Sequence, residues 1–230
     1  MTKVFIISAP SGSGKSTLVK GVREVVPNLK FSISYTTRAP RGSEREGREY
    51  YFVSRSQFED MLARDQFLEH ADVFGNYYGT AKRFLYDAEQ TGQDLLLDID
   101  VQGAAQIKGK LPEAVSIFVL PPDRKTLEAR LRDRGQDAEQ VIERRLATAT
   151  REIENYSKYD YILVNDRLAD SIEALKSILL AERLKRPGLE TSSEYADLLA
   201  RAERCRLQNV KERVQPILAS FVTAAAPGGR

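Results

Sequence analysis

Short apolar blocks separated by polar, glycine-marked connections set the pattern of this chain. Val4-Phe5-Ile6-Ile7 is apolar without alternation and too short for a helix, which predicts a buried strand. Leu18, Val19, Val22, Val25 and Val26 then recur at helical spacing. Leu29 to Tyr35 alternates, with Phe31, Ile33 and Tyr35 on one face, and predicts a half-buried strand. Residues 36–49 hold almost no apolar side chain, and Pro40, Gly42 and Gly47 mark them as an exposed loop. Tyr50 to Val53 resumes a strand, and Ser54 to Leu68 predicts a helix opened by a Ser54/Gln57 capping box. Short strands and turns are expected over Glu69–Thr80. Asp94-Leu95-Leu96-Leu97-Asp98-Ile99-Asp100 predicts a buried parallel strand whose C-terminal end carries carboxylates. Val115–Leu120 and Tyr161–Val164 are further buried strands, closed by Pro121-Pro122 and Asn165-Asp166. Leu168–Leu184 is an amphipathic helix ended by Pro187-Gly188, and a further helix is expected from Ser193 onward, with Tyr195, Leu198, Leu199, Ala202 and Cys205 on one face.

Strands alternating with helices predict an α/β fold with a central parallel sheet flanked by helices. Two stretches interrupt it. Residues 34–86 hold six of the ten tyrosines and look like an inserted subdomain, and residues 124–151 carry seven arginines. The remainder divides into a core of 1–33, 87–123 and 152–187, and a helical extension over 188–230 with a frayed tail. With 35 Lys+Arg against 33 Asp+Glu, the net charge of +2 gives no general attraction to nucleic acid or to an anionic membrane. No apolar run approaches the roughly 18 residues of a membrane span. A single cysteine, Cys205, excludes an internal disulfide and a cysteine-based zinc cluster. With no leader pattern at the N-terminus, it points to the cytoplasm. Self-association is left open by the sequence.

The chemistry starts at Ala9-Pro10-Ser11-Gly12-Ser13-Gly14-Lys15-Ser16-Thr17, between the first strand and the first helix. Gly12 and Gly14 let the backbone curl around an anion, and the following helix directs unpaired N–H groups at it. Lys15 adds a point charge for the β/γ bridge of a nucleoside triphosphate, and the Ser16 hydroxyl suits Mg²⁺. Ala9 stands where the phosphate-loop pattern expects its first glycine. Arg38 and Arg41, followed by Tyr50, suit a phosphate monoester; Glu44, Glu46 and Glu49 offer them ordinary ion pairs instead. His70, the only histidine, has no partner pattern, and Cys205 is expected to be packed.

Several motifs in order resemble the guanylate kinases. They are Ser8 to Thr17, Ser34-Tyr35-Thr36-Thr37-Arg38-Ala39-Pro40-Arg41, Glu46 to Phe52, Tyr77-Tyr78-Gly79-Thr80 and Leu97 to Gly103. Arg130-Leu131, Arg134-Gly135 and Asn165-Asp166 complete the set. The similarity runs from residue 3 to about 186 and departs at Arg167, where many members carry a second Asp. It implies a P-loop NTPase fold with an inserted monophosphate-binding subdomain and a helical lid that closes. The implied activity is transfer of the γ-phosphoryl group of ATP to GMP, and also to dGMP, in GMP recycling. By the same resemblance Glu69 and Asp100 accept from guanine N1 and N2, while Ser34 and Thr80 donate to O6. Arg38, Arg41, Tyr50 and Tyr78 hold the GMP phosphate. Residues 9–17 and Asn165 bind ATP, with Asn165 on the adenine side, and Ser16 and Asp98 serve Mg²⁺. Lys15, Arg38, Arg130, Arg134 and Arg145 stabilise the transferred group.

Two other readings fit the P-loop alone. A small P-loop kinase for another nucleotide or a ribosyl phosphate would keep Lys15 without needing Glu69, Asp100, Ser34 and Thr80 together. A noncatalytic guanylate-kinase-like binding module would tend to lose Gly14, Lys15 and Ser16, which this chain retains.

Overall fold

A computed structural model describes residues 2–73, 75–133, 138–185 and 193–222, without the side chain of Glu194. The elements run β1 (Val4–Ser8), α1 (Lys15–Val25), β2 (Leu29–Ser32), β3 (Tyr35–Thr36), β4 (Tyr51–Phe52), α2 (Arg55–Ala63), β5 (Phe67–Val73) and β6 (Asn76–Ala81). They continue with α3 (Arg83–Thr91), β7 (Asp94–Asp98), α4 (Val101–Lys110), β8 (Val115–Leu120), α5 (Arg124–Arg132), α6 (Glu139–Ile153), β9 (Tyr161–Val164), α7 (Leu168–Leu184), α8 (Ala196–Glu203) and α9 (Lys211–Val222). Two compact units emerge, one of residues 1–7 and 27–115, the other of residues 8–26 and 116–230. Among the described residues no helix is long and apolar enough to cross a membrane.

In the first unit β7 lies between β2 and β1, and both pairings are parallel. Phe5, Ile6, Ile7 and Leu95–Leu97 are fully buried, as expected of strands covered on both faces. A second sheet has the order β4-β3-β6-β5, with β5 and β6 forming an antiparallel hairpin. The alternating run Leu29–Tyr35 is therefore two strands on two sheets. Alternation reports which side chains are half-buried, and it carries no information about which neighbour the backbone pairs with. The helix expected over Ser54–Leu68 ends at Ala63. Its capping box forms as expected, but Asp65 adopts a left-handed φ of 52°, and Phe67 pairs with Ala81 across the hairpin. Phe67 also stacks on Phe58 with centroids 4.4 Å apart, so burial of that ring wins over one more helical turn.

In the second unit β8 and β9 pair in parallel, with the limits the apolar runs predict. Helix α7 also has its predicted limits and packs against α1 and α8. The extension, over residues 193–222, docks on this unit. Ile162 N donates to Cys205 O at 2.8 Å and Leu207 N to Asp160 O at 3.2 Å, so the chain after α8 lies along β9. Helix α9 buries Val214, Ile217 and Phe221 and contacts α5 and α6, and Arg124 N donates to Ser220 Oγ at 3.1 Å. The anchor is Glu182, buried on α7. It accepts from the Tyr161 hydroxyl, from Lys185 Nζ at 2.7 Å and from Arg206 Nη2 at 2.9 Å, while the Arg206 guanidinium lies 4.2 Å from the Tyr161 ring centroid. Cys205 is buried, as expected. Removing the carboxylate leaves a buried phenol and a guanidinium without their acceptor. Glu182→Ala is expected to lower the unfolding free energy by about 2–3 kcal/mol in urea titration. A loss under about 0.5 kcal/mol would show that solvent replaces the carboxylate.

Candidate active site

Each unit carries a separate set of the residues singled out in the sequence. In the second unit the loop before α1 turns at Pro10–Ser13, where Ser13 N donates to Pro10 O at 3.1 Å. Gly14 is the N-cap of α1 and sits at φ 85°, ψ 17°, a conformation side chains resist. Having no side-chain oxygen, it leaves the first-turn amides of α1 uncapped by its own residue, where α1 also presents its positive end. Lys15 opens the helix and Ser16 and Thr17 are exposed on its first turn. The loop is held through one backbone oxygen. Ser13 O accepts from Asn165 Nδ2 at 2.7 Å and from Arg130 Nη1 at 3.5 Å, and Arg130 Nη2 also donates to Asn165 O at 3.1 Å. The Asn165 amide, expected on the adenine side, thus donates to the loop. Its reach is fixed by position, one residue beyond β9, and a side chain at Gly14 would stand 2.5 Å from Nδ2. Arg145 lies part-exposed on α6, and Arg134 lies outside the described residues.

In the first unit a cation and two phenols converge. Arg38 is only 9 % exposed, and its Nε donates to the Tyr78 hydroxyl at 3.2 Å. Its guanidinium lies 5.3 Å from the Tyr50 ring centroid, and the Tyr50 and Tyr78 centroids are 5.9 Å apart. Glu44 organises the loop in a way the sequence offered only as an ordinary ion pair. One oxygen accepts from Arg38 Nη2 at 2.9 Å and the other from Arg41 N at 2.8 Å. Burial opposes the charge on Arg38, but the bonds from Glu44 and Tyr78 outweigh it and hold the guanidinium above its usual value. The Arg41 side chain is exposed, and Ser34 is half-buried just before β3.

The two carboxylates meet at the start of α4. Asp100 is the N-cap, its Oδ1 accepting from Gly103 N at 2.8 Å. Glu69, on β5, is 3 % exposed, and the position of a Cβ on Gly103 would lie 2.5 Å from its Oε2 and 3.3 Å from Asp100 Oδ1. Thr80 Oγ1 donates to Glu69 Oε1 at 2.6 Å. A hydroxyl has one proton, so Thr80, expected to serve a base carbonyl, here orients Glu69. Burial pushes the Glu69 carboxyl up from 4.5 to about 7; the Thr80 bond pulls it down and the neighbouring Asp100 raises it.

Among the described residues no cluster of three or more His, Cys, Asp or Glu is suited to a metal. Magnesium accompanying a nucleotide needs only one or two protein oxygens beside the phosphates. The exposed hydroxyl of Ser16, in the second unit, is an oxygen of that kind; in the first unit Asp98 is half-buried at the end of β7.

Residues 1–182 match the family described as guanylate kinase. A guanylate kinase of Koribacter versatilis is 60 % identical over 227 residues, covering 97 % of each chain. One of Escherichia coli K12 is 49 % identical over 184 residues, 79 % of this chain and 89 % of its own. Among solved structures, the guanylate kinase of Anaplasma phagocytophilum superposes with a TM-score of 0.66 at 34 % identity, covering 80 % of this chain and 87 % of its own.

The raised Glu69 carboxyl has a sign that can be measured. The folded protein holds this proton more tightly than the unfolded chain, so its contribution to stability is complete below 4.5 and is lost as pH rises through about 7. The shift corresponds to on the order of 3 kcal/mol. Glu69→Gln, a neutral mimic, is expected to raise the melting temperature over the parent at pH 8 and to match it at pH 5. Parallel melting curves across that range would mean that Glu69 is not destabilised by ionisation.

Proposed function

The chain belongs to the guanylate kinase family, and from that premise we propose that it transfers the γ-phosphoryl group of ATP to GMP, giving ADP and GDP. The observation that carries the acceptor assignment is the pair of carboxylates beside Gly103, one of them buried. Guanine presents N1–H and N2–H₂ on one edge, and two carboxylates are the acceptors that edge requires. Glu69 and Asp100 take those protons, Thr80 holds Glu69 in place, and Ser34 supplies the hydroxyl for O6. Adenine offers the opposite pattern and would leave buried acceptors unpaired. Sites built this way reject the wrong analogue by about 10⁴-fold. None of these groups is assigned to the ribose 2′-hydroxyl, so dGMP fits the same reading.

Arg38, Arg41, Tyr50 and Tyr78 grip the GMP phosphate, with Glu44 keeping Arg38 and the Arg41 backbone in register before the nucleotide arrives. Residues 9–17 cradle the ATP phosphates through backbone N–H groups, and Lys15 sits at the β/γ bridge. A GMP phosphate oxygen forms the new bond to the γ-phosphorus. The bond from that phosphorus to the bridging oxygen breaks, and its electron pair stays on ADP. The attacking oxygen is already anionic, so no strong general base is needed, and catalysis is positioning plus charge stabilisation. Arg130, Arg134 and Arg145 stabilise the moving phosphoryl group, and Arg130 with Asn165 also steadies the loop through Ser13. Ser16 and Asp98 would hold Mg²⁺, which when bound neutralises charge on the phosphate oxygens. We assign residues 34–86 to the acceptor, 124–151 to the lid and the remaining P-loop core to the donor. The setting we assign is purine nucleotide metabolism in the cytoplasm, supported by the single cysteine.

The deciding experiment is a coupled ADP-release assay with ATP and Mg²⁺, offering GMP, AMP, CMP and UMP in parallel. Turnover confined to GMP is expected, and Lys15→Ala should reduce kcat by about 10³-fold while GMP still binds. Turnover favouring another nucleotide would remove the carboxylate assignment, and GMP binding without turnover in the parent would leave a binding module. Glu69→Ala should erode the GMP-to-AMP ratio of kcat/KM by about 10²-fold or more; an unchanged ratio would detach Glu69 from base recognition.

A further inference from the structure

Among the described residues strand β5 is the outer strand of its sheet, with β6 as its one strand neighbour. An outer strand carries peptide groups on its open side with no strand partner. Here helix α4 holds it with side chains. Gln106 Nε2 donates to His70 O at 2.6 Å, and Gln106 Oε1 accepts from His70 N at 3.2 Å, so one amide satisfies both backbone groups of one residue. One turn further on, Lys110 Nζ donates to Leu68 O. Glu69 lies between these two anchored residues. One turn back, Gly103 provides the space its carboxylate occupies. Residues 103, 106 and 110 share one helix face by their spacing. The same helix, through its N-cap, fixes Asp100 on the Gly103 amide.

We propose that the Gly103–Gln106 face of α4 is the positioning element for guanine selectivity, aiming Glu69 by clamping the strand that carries it. This rests on the reading that Glu69 accepts from guanine. Gln106 acts through backbone and Gly103 through the absence of a side chain. The β5–β6 register is regular from Val73–Asn76 to Glu69–Thr80 and shifts between Phe67 and Glu69, so the ladder is interrupted on the Phe67 side of the carboxylate. The clamp adds a constraint from the opposite edge, on the residues either side of Glu69.

The test compares GMP with IMP, which lacks only the N2 amine, in the parent, Gln106→Ala, Gly103→Ala, Glu69→Ala and the Glu69→Ala/Gln106→Ala double variant. Gln106→Ala is expected to lower the GMP-to-IMP ratio of kcat/KM by about tenfold through KM for GMP, with kcat and KM for ATP within about twofold. Gly103→Ala should lower the ratio further, while alanine favours the helix itself. In the Glu69→Ala background, Gln106→Ala should change the ratio by less than about twofold, because the group it positions is gone. A purely structural role would give equal losses in both backgrounds and for both substrates, and that result overturns the proposal. If Glu69→Ala lowers the ratio and neither Gln106→Ala nor Gly103→Ala does, positioning by α4 falls while the reading of Glu69 stands. If Glu69→Ala leaves the ratio unchanged, that reading and the proposal fall together.

Discussion

Keeping an ionisable acid inside a protein is costly, and the burial of Glu69 is the constraint around which the first unit is built. A carboxylate removed from water needs compensating donors, and Glu69 has the Thr80 hydroxyl. Thr80 lies opposite it in the β5–β6 pairing, so the hairpin that buries the acid also brings its donor. A carboxyl held near neutrality by burial ionises more readily wherever further donors reach it. Space, donor and strand register therefore converge on one functional group, and each comes from a different element: α4, β6 and β5.

The second unit applies the same economy to a backbone carbonyl. Ser13 O gathers Asn165 and Arg130, two residues far along the chain, onto the turn before α1. A glycine-containing loop has many accessible conformations, and fixing one of its carbonyls from outside lowers the entropy lost when an anion is bound. The arginine on α5 and the asparagine after β9 thus both brace the loop through the same oxygen.

What could be read in the sequence was whatever is contiguous. The P-loop declares itself because strand, glycine turn and helix follow one another, and β8, β9 and α7 kept their predicted limits because each is bounded by turn residues. Resemblance carried the family. The misreadings share a cause: they concern partners remote in sequence. Periodicity joined Leu29–Tyr35 into one strand and ran α2 past Ala63, because the pairing of Tyr35 with Gly79 and of Phe67 with Ala81 leaves no local mark. The sequence offered Thr80 as a donor to a base carbonyl and not as the holder of Glu69. Gly103 closed a family-like motif without a role and Gln106 gave no signal, since a helical glycine and an amide on a helix become specific only when a strand lies against them.

The segment after α8 has a consequence beyond anchoring. Its backbone bonds run along β9, whose one strand partner among the described residues is β8. An open strand there would present a template to any other extended chain. By laying its own Cys205–Leu207 backbone along that strand, the protein occupies peptide groups that could otherwise pair with another chain. The segment that docks the extension thus also closes part of an edge.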